Sequence, residues 1–298
     1  MAMKKSVGTV IIDSFIGFLL LCMGFVTIYP FIFLLSASVS NPLDLIAGHV
    51  TLLPIGFSLN SYGYLMHSSD LWLAYYNTLW YTVVGVLVNV VMTVVFAFPL
   101  SRKDFYGRSA IMLFMAVPMF IGGSVNMIPS FILVLRLGLF DTRWAIIIPS
   151  MMSPMLVIMA RIFFQSTIPD SLVEASRIDG ASELRILARV VLPLSLPIVS
   201  VIVIYNIVIF WNVYTTALLY VPDVRYQPLQ VYLQRILIAN SPDAKALNAA
   251  SADPSLSMSV AYQLRYSTIV VSIIPIVAMY PVLQKYFVQG SMMGAIKE

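Results

Sequence analysis

Charge is what this sequence lacks. Only 10% of its 298 residues are Asp, Glu, Lys or Arg, where a soluble domain carries about a quarter. Such a chain cannot cover its apolar surface with polar residues. With a mean hydropathy of +0.93, it reads as an integral membrane protein. No long polar block exists, so residues 1–298 read as a single transmembrane domain. Cysteine is nearly absent too. Cys22 is the only one and lies in an apolar run, which excludes an internal disulfide framework and a Cys-based metal site. It reads as a small packed hydrophobe. His49 and His67 have no metal-ligand spacing, so no metal site is expected. There is no Gly-x-x-x-x-Gly-Lys-Ser/Thr phosphate loop, so ATP is not bound by that route. The net charge of +4 is scattered rather than clustered, which argues against nucleic acid.

What the chain has in plenty is long apolar runs. A transmembrane helix needs roughly 20 mainly apolar residues, and six stretches qualify: about 10–37, 72–100, 109–135, 144–165, 192–219 and 267–288. The third holds Pro118, Gly122, Gly123 and Pro129, so a kink or break is expected near Pro129. The first carries Lys4 and Lys5 before it, but its apolar run is too long for a secretory signal and it reads as a retained anchor. Basic residues then set sidedness. Lys4, Lys5, Arg102, Lys103, Arg108, Arg161, Arg177, Arg185, Arg189, Lys285 and Lys297 fall on one side. The segment 38–71 on the other side has no Lys or Arg. Both termini are therefore expected in the cytoplasm, with outer loops at 38–71, 136–143 and 220–266.

Between the fourth and fifth spans the charges crowd together: Glu174, Arg177, Asp179, Glu183, Arg185 and Arg189. Ser171 and Glu174 fit a capping box, with Asp170 as a rival cap. Asp179-Gly180 is a turn signal. A second helix is expected from about Ala181 through Arg189, with Leu184, Leu187 and Val191 on one face, and Pro193 and Pro197 lead into the next span. The small residues Ala175, Ser176, Gly180 and Ala181 let another backbone approach. This is the shape of a cytoplasmic docking knuckle. The alternative is an amphipathic loop lying on lipid headgroups.

Glu174-Ala175-Ser176, then Asp179-Gly180-Ala181, then Leu192-Pro193-Leu194 and Pro197 closely resemble the EAA loop, which marks the membrane subunits of bacterial ABC importers. Ser176 stands where that family usually has Ala. Other stretches extend the resemblance to the carbohydrate-importing, MalG-type branch. They are Ala97-Phe98-Pro99-Leu100-Ser101-Arg102 with Phe105 and Gly107-Arg108, Leu137-Gly138-Leu139 with Asp141-Thr142, Trp211-Asn212, and the tail Phe287 to Lys297. The implied fold is all-α, about six transmembrane helices with a cytoplasmic coupling helix (the type I importer permease fold), in the bacterial inner membrane.

The resemblance implies that residues 170–191 dock on an ATP-hydrolysing subunit. Glu174, Ala175, Ser176, Arg177, Asp179, Gly180, Ala181 and Arg185 would be the coupling residues, and Gly290, Gly294 and Ala295 would reach the same interface. The implied partners are two ATP-binding cassette subunits carrying Mg-ATP, a second homologous permease, an extracytoplasmic solute-binding protein and membrane lipid. The chain itself is then a transport subunit, not an enzyme.

Polar residues within spans mark transport pathways or glue helices together. Asn77, Asn89, Asn126, Tyr205, Asn206, Trp211, Asn212 and Tyr214 suit a polyhydroxylated solute. In the outer loop Tyr226, Tyr232, Gln234 and Arg235 are candidates for the binding protein. Arg225, Arg235 and Arg265 suit either an acidic, uronate-containing saccharide or that same protein. The rival classes are a permease for a non-sugar solute, a membrane-embedded glycan or lipid enzyme, and a channel.

Overall fold

The computed structural model describes residues 7–120, 123–239, 262–278 and 281, and every regular element among them is helical. In chain order these are α1 (Val7–Ser38), α2 (Pro42–Ile46), α3 (Asn60–His67), α4 (Ser69–Ser101), α5 (Arg108–Phe120), α6 (Gly123–Arg136), α7 (Trp144–Ile147), α8 (Pro154–Thr167), α9 (Asp170–Ile178) and α10 (Glu183–Ile186). A π-turn (Leu187–Val191) joins α10 to α11 (Leu192–Leu194); then come α12 (Leu196–Trp211), α13 (Thr215–Tyr220), a 3-10 turn (Val224–Tyr226) and α14 (Leu229–Ala239). The last is α15 (Tyr262–Ala278).

Ile11–Ser38 and Ser69–Ser101 are each long and apolar enough to cross a membrane. The other spans are in pieces. Of the kink or break expected near Pro129, a break is not found: Pro129 lies inside α6, which runs on to Arg136. One missing amide donor does not end a helix whose neighbouring bonds survive. The stretch 144–165 is not one helix. Four residues of α7 are followed by turns, and Pro154 opens α8 behind Ser153 in an extended conformation, the geometry a residue before proline prefers. The stretch 192–219 divides after Trp211, where Asn212 closes α12. α8 bends into α9 by 81°, and Glu183–Leu194 bends into α12 by 86°. The sixth span is already helical at Tyr262, five residues before the expected start, and its portion after Ala278 is outside the described residues save 281.

Contacts sort the chain into two compact units, 1–68 with 233–275 and 69–232 with 276–298. In the first, the body of α1 is a bare apolar rod, and Cys22 sits on its exposed surface rather than packed in protein. Only the end of α1 is enclosed. Ala37, Leu45 and Val50 form a small core flanked by Phe33 and Tyr266, whose rings meet edge to face at 5.8 Å. Polar side chains hold the rest. The buried Gln263 amide donates to the carbonyls of Ser38 (3.1 Å) and Ser58 (2.8 Å), Ser61 and Ser267 share a hydrogen bond of 2.6 Å, and Tyr62 donates to Ser38 Oγ (2.8 Å). Segment 38–68 is thus a folded cap, not a slack loop.

The second unit is built on α4. Its buried face runs from Leu71 through Asn77, Tyr81, Gly85, Asn89, Thr93 and Ala97 to Leu100, the three-and-four spacing of a helix stripe. At one end Val94, Phe98, Leu156, Phe164, Val173, Ile186, Val191 and Ile202 share a core. At the other, Tyr81, Ala145, Ile146, Ile147, Val213 and Tyr220 form a second. In lipid such association rests on van der Waals fit and internal hydrogen bonds rather than on water exclusion. The fit is tightest at Gly85, where an added Cβ would stand 2.6 Å from the ring of Phe210 on α12. Overpacking of this kind typically costs about 1–3 kcal/mol. Gly85→Ala is therefore expected to lower the melting temperature in detergent. A second change, Phe210→Leu, is expected to restore part of that loss by vacating the space.

Candidate functional site

The charged stretch forms a hairpin, α9–turn–α10, at the end of α4 and α8. α9 is not opened by the capping box read from Ser171 and Glu174. Pro169 holds the N-cap position without a side-chain cap, and Ser171 is already inside the helix. Pro169 in an extended conformation fixes the entry, and Asp170 is held instead by ion pairs to Arg102 (3.2 Å) and Lys103 (3.4 Å). The end of α9 matches its sequence signal. Ala181 N–H donates to Ser176 O and Gly180 N–H to Arg177 O, both 3.0 Å, with Gly180 at φ +76°. That is a Schellman ending, which needs a left-handed residue at the glycine position. α10 starts at Glu183 rather than Ala181. Its expected apolar face is divided. Ile186, Leu187 and Val191 are buried in the core while Leu184 points outward.

One arginine ties the hairpin together. Arg177 Nη1 donates to Asp104 (2.8 Å), on the connection after α4, and its Nε donates to Glu183 (2.7 Å), at the start of α10. The two carboxylates raise the Arg177 pKa further above its ordinary range, and Arg177 in turn holds Asp104 below the usual carboxylate range. Beside it the Arg102 guanidinium is buried. It stacks 5.7 Å over the Phe98 ring, and burial pulls its pKa down against the opposing pull of Asp170.

The outer surface of the hairpin carries other groups. Glu174 is exposed and makes no hydrogen bond or ion pair with the described residues. Ile178 is 87% and Leu184 72% exposed. Ala175, Gly180 and Arg185 are also open, and a Cβ at Gly180 would meet nothing within 4 Å. A rigid base thus presents an uncovered, part-apolar face. Gly290, Gly294 and Ala295 lie outside the described residues.

The polar residues proposed for a path separate into distinct environments. Asn77 is fully buried. Its amide donates to the carbonyls of Arg225 (2.9 Å) and Gln227 (3.1 Å), and its oxygen accepts from Arg143 (2.9 Å). Asn89 donates to Ser150 O and accepts from Thr93. Both are helix glue. Asn206 is buried and donates back to Ile202 O, Trp211 is buried, and Tyr205 and Asn212 face outward. Tyr214 is partly buried against the second core. Asn126 lines a cavity. That cavity holds about 250 Å³ and its wall includes Ser130, Ser150, Thr215, Thr216 and Tyr220. The hydroxyl residues escaped the sequence reading because Ser and Thr in an apolar run also bond their own helix backbone.

Sequence reasoning also missed Arg143. Its guanidinium sits 5.1 Å from the Tyr76 ring, 5.2 Å from Trp80 and 5.7 Å from Tyr226. Tyr226 is part of a strap over α4, where Tyr81 OH donates to its carbonyl (2.7 Å) and Leu229 N–H donates to Thr78 (2.8 Å). Of the outer-loop candidates, Tyr232 is buried, while Gln234 and Arg235 are half-buried. Arg225 is paired with Asp223 at 2.6 Å. Residues 240–261 of that loop lie outside the described residues.

Residues 89–293 match the family model described as the binding-protein-dependent transport system inner membrane component. The chain belongs to that family. Over 94% of its length it is 34% identical to the polygalacturonan/rhamnogalacturonan transport system permease protein YtcP of Bacillus subtilis, covering 96% of that protein. It is 27% identical over 90% of its length to the melibiose/raffinose/stachyose import permease protein MelC of the same organism, covering 91% of that protein. Among solved structures, a chain of a bacterial ABC transporter involved in the import of the acidic polysaccharide alginate superposes with a TM-score of 0.85 at 32% identity, over 95% of this chain and 99% of that one. The protein is a multi-pass permease subunit of the inner membrane, with the type I importer fold.

The Arg177 clamp is partly exposed, so each of its pairs is worth only about 0.2–1 kcal/mol. Asp104→Asn is expected to speed hydrogen exchange in α9 and α10 without unfolding the bundle. The folded-state pKa of Asp104 is depressed, so its contribution is complete above the unfolded value of 3.8 and is lost as pH falls through the folded one. The melting difference between wild type and Asp104→Asn should persist from neutral pH down to about 4 and close below it.

Proposed function

We propose that this permease is one half of a two-permease ABC importer for acidic, uronate-containing oligo- or polysaccharide. In this reading its hairpin docks on a partner ATPase that carries Mg-ATP, and an external binding protein delivers the solute. The single observation that carries the coupling role is the contrast within the hairpin. Arg177, Arg102, Val173 and Ile186 fix it to α4 and α8, while Glu174, Ile178 and Leu184 are left open. An exposed face on a packed base, with open charges such as Glu174 and Arg185 beside two large apolar side chains, is what a docking joint requires. Both termini and the hairpin are then cytoplasmic, by the distribution of Lys and Arg.

The solute class rests on kinship. The relatives named for a polygalacturonan/rhamnogalacturonan and for alginate are 34% and 32% identical, and the relative named for neutral galactosides is 27% identical. The hydroxyl-lined cavity beside Asn126 offers neutral hydrogen bonds suited to a sugar, and Ser130 and Thr216 are the residues to alter there.

Two measurements test this. Truncation of a docking hot spot costs about 2 kcal/mol or more, so Glu174→Ala with Leu184→Ala is expected to weaken ATPase co-purification by roughly thirtyfold while the permease still folds. Retention of the ATPase by that variant would remove the hairpin as the joint. In proteoliposomes with the full complex, oligogalacturonate is expected to stimulate ATP hydrolysis and raffinose is not. The reverse order would replace the acidic reading by a neutral-sugar one.

A further inference from the structure

A further cavity lies at the hairpin end of the bundle. It holds about 460 Å³ between the ends of α4, α5 and α8, and its wall includes Lys103, Arg108, Arg161, Gln165 and Asp170. Three cations face one carboxylate there, and that carboxylate is shared with Arg102 outside the cavity wall. Among the described residues neither Arg108 nor Arg161 has an acidic partner. Arg161 uses its Nε on Leu100 O (3.0 Å), and Arg108 uses Nη1 on Arg102 O (3.3 Å). The remaining guanidinium donors of these two half-buried, like-charged groups are left for another acceptor. Two such groups repel, and a single bridging anion relieves both at once, because a guanidinium fork matches a phosphate's oxygens.

The surroundings say where that anion comes from. α5 and α8 flank the cavity with bare apolar surfaces, including Leu113, Phe114 at 79% exposure, and Ile162. Lys103 stands at the mouth with its side chain 83% exposed. An acyl chain can lie along these helices while its headgroup reaches the arginines, and basic pockets between transmembrane helices suit such headgroups. We propose that Lys103, Arg108 and Arg161 form a binding site for the phosphodiester of an anionic phospholipid, with the acyl chains resting on α5 and α8. The proposal does not depend on which solute is carried.

The test uses the permease purified with its partner subunits. Detergent complexes are mixed with equal phosphatidylglycerol and phosphatidylcholine, and retained lipid is read by native mass spectrometry. Wild type is expected to keep phosphatidylglycerol preferentially. Arg108→Gln with Arg161→Gln is expected to lose that preference by roughly tenfold or more, as charge-assisted bonds to the headgroup are removed, while Arg108→Lys with Arg161→Lys keeps most of it. Lys103→Gln, on a side chain too exposed to affect folding, is expected to lower retention by a smaller factor. Inorganic phosphate added at the lipid's concentration should not displace it. Equal retention by wild type and by the Gln variants overturns the proposal. So does displacement by inorganic phosphate, which would make the site one for a soluble anion.

Discussion

The carbonyl groups at the end of α4 are the constraint on which the working end of this permease depends. A helix leaves its last four carbonyls without partners, and a buried or membrane-embedded one must find them elsewhere. Here each is answered by a different residue. Ser101 Oγ donates to Phe98 O, Arg102 N–H to Pro99 O, Arg161 to Leu100 O and Gln165 to Ser101 O, while Arg108 donates to Arg102 O just past the helix end. The helix dipole also favours cations at this end. One cap therefore positions α8, the start of α5 and Arg102, and Arg102 in turn holds the first residue of α9.

From that junction the hairpin acquires its stiffness. Val173 and Ile186 enter the same core as Phe98 and Phe164, and Arg177 spans from Asp104 to Glu183. The hairpin then passes into the membrane through a π-turn and an 86° bend into α12. α8 and α12 both pack along α4, which Gly85 brings close to Phe210. In the proposed docking, load placed on Ile178 or Leu184 would be passed to two helices that share one partner.

Much of this was legible in the sequence where a residue has one physical use. Asp179-Gly180 predicts a left-handed helix end, and Gly180 provides it. Scarce charge predicts a membrane chain, and the clustered charges locate the hairpin. The failures share a different cause. Ser171 and Glu174 have the spacing of a capping box, but Pro169 set the helix start earlier and placed Ser171 inside. Leu184 has the spacing of a face shared with Leu187 and Val191, but it lies in the first turn of α10 at the hairpin's outer edge and stays exposed. Pro129 reads as a breaker yet lies within a continuing helix. Segment 38–68 reads as a loop because serines and a distant glutamine, rather than a hydrophobic stripe, hold it.

The buried asparagines show why a path is harder to read than a joint. Asn77 and Asn89 have the composition of solute-binding groups, but the amide nitrogen and oxygen of each already have partners among carbonyls, Arg143 and Thr93. A group so engaged must break protein bonds to bind sugar, and an unmade bond at a buried site costs about 1–3 kcal/mol. The wall of Asn126, Ser130, Thr215, Thr216 and Tyr220 faces open volume instead. Sequence composition cannot distinguish these cases, because the same side chains serve both. What separates them is whether a partner is already within reach, and for Asn77 that partner is the strap 148 residues farther along the chain.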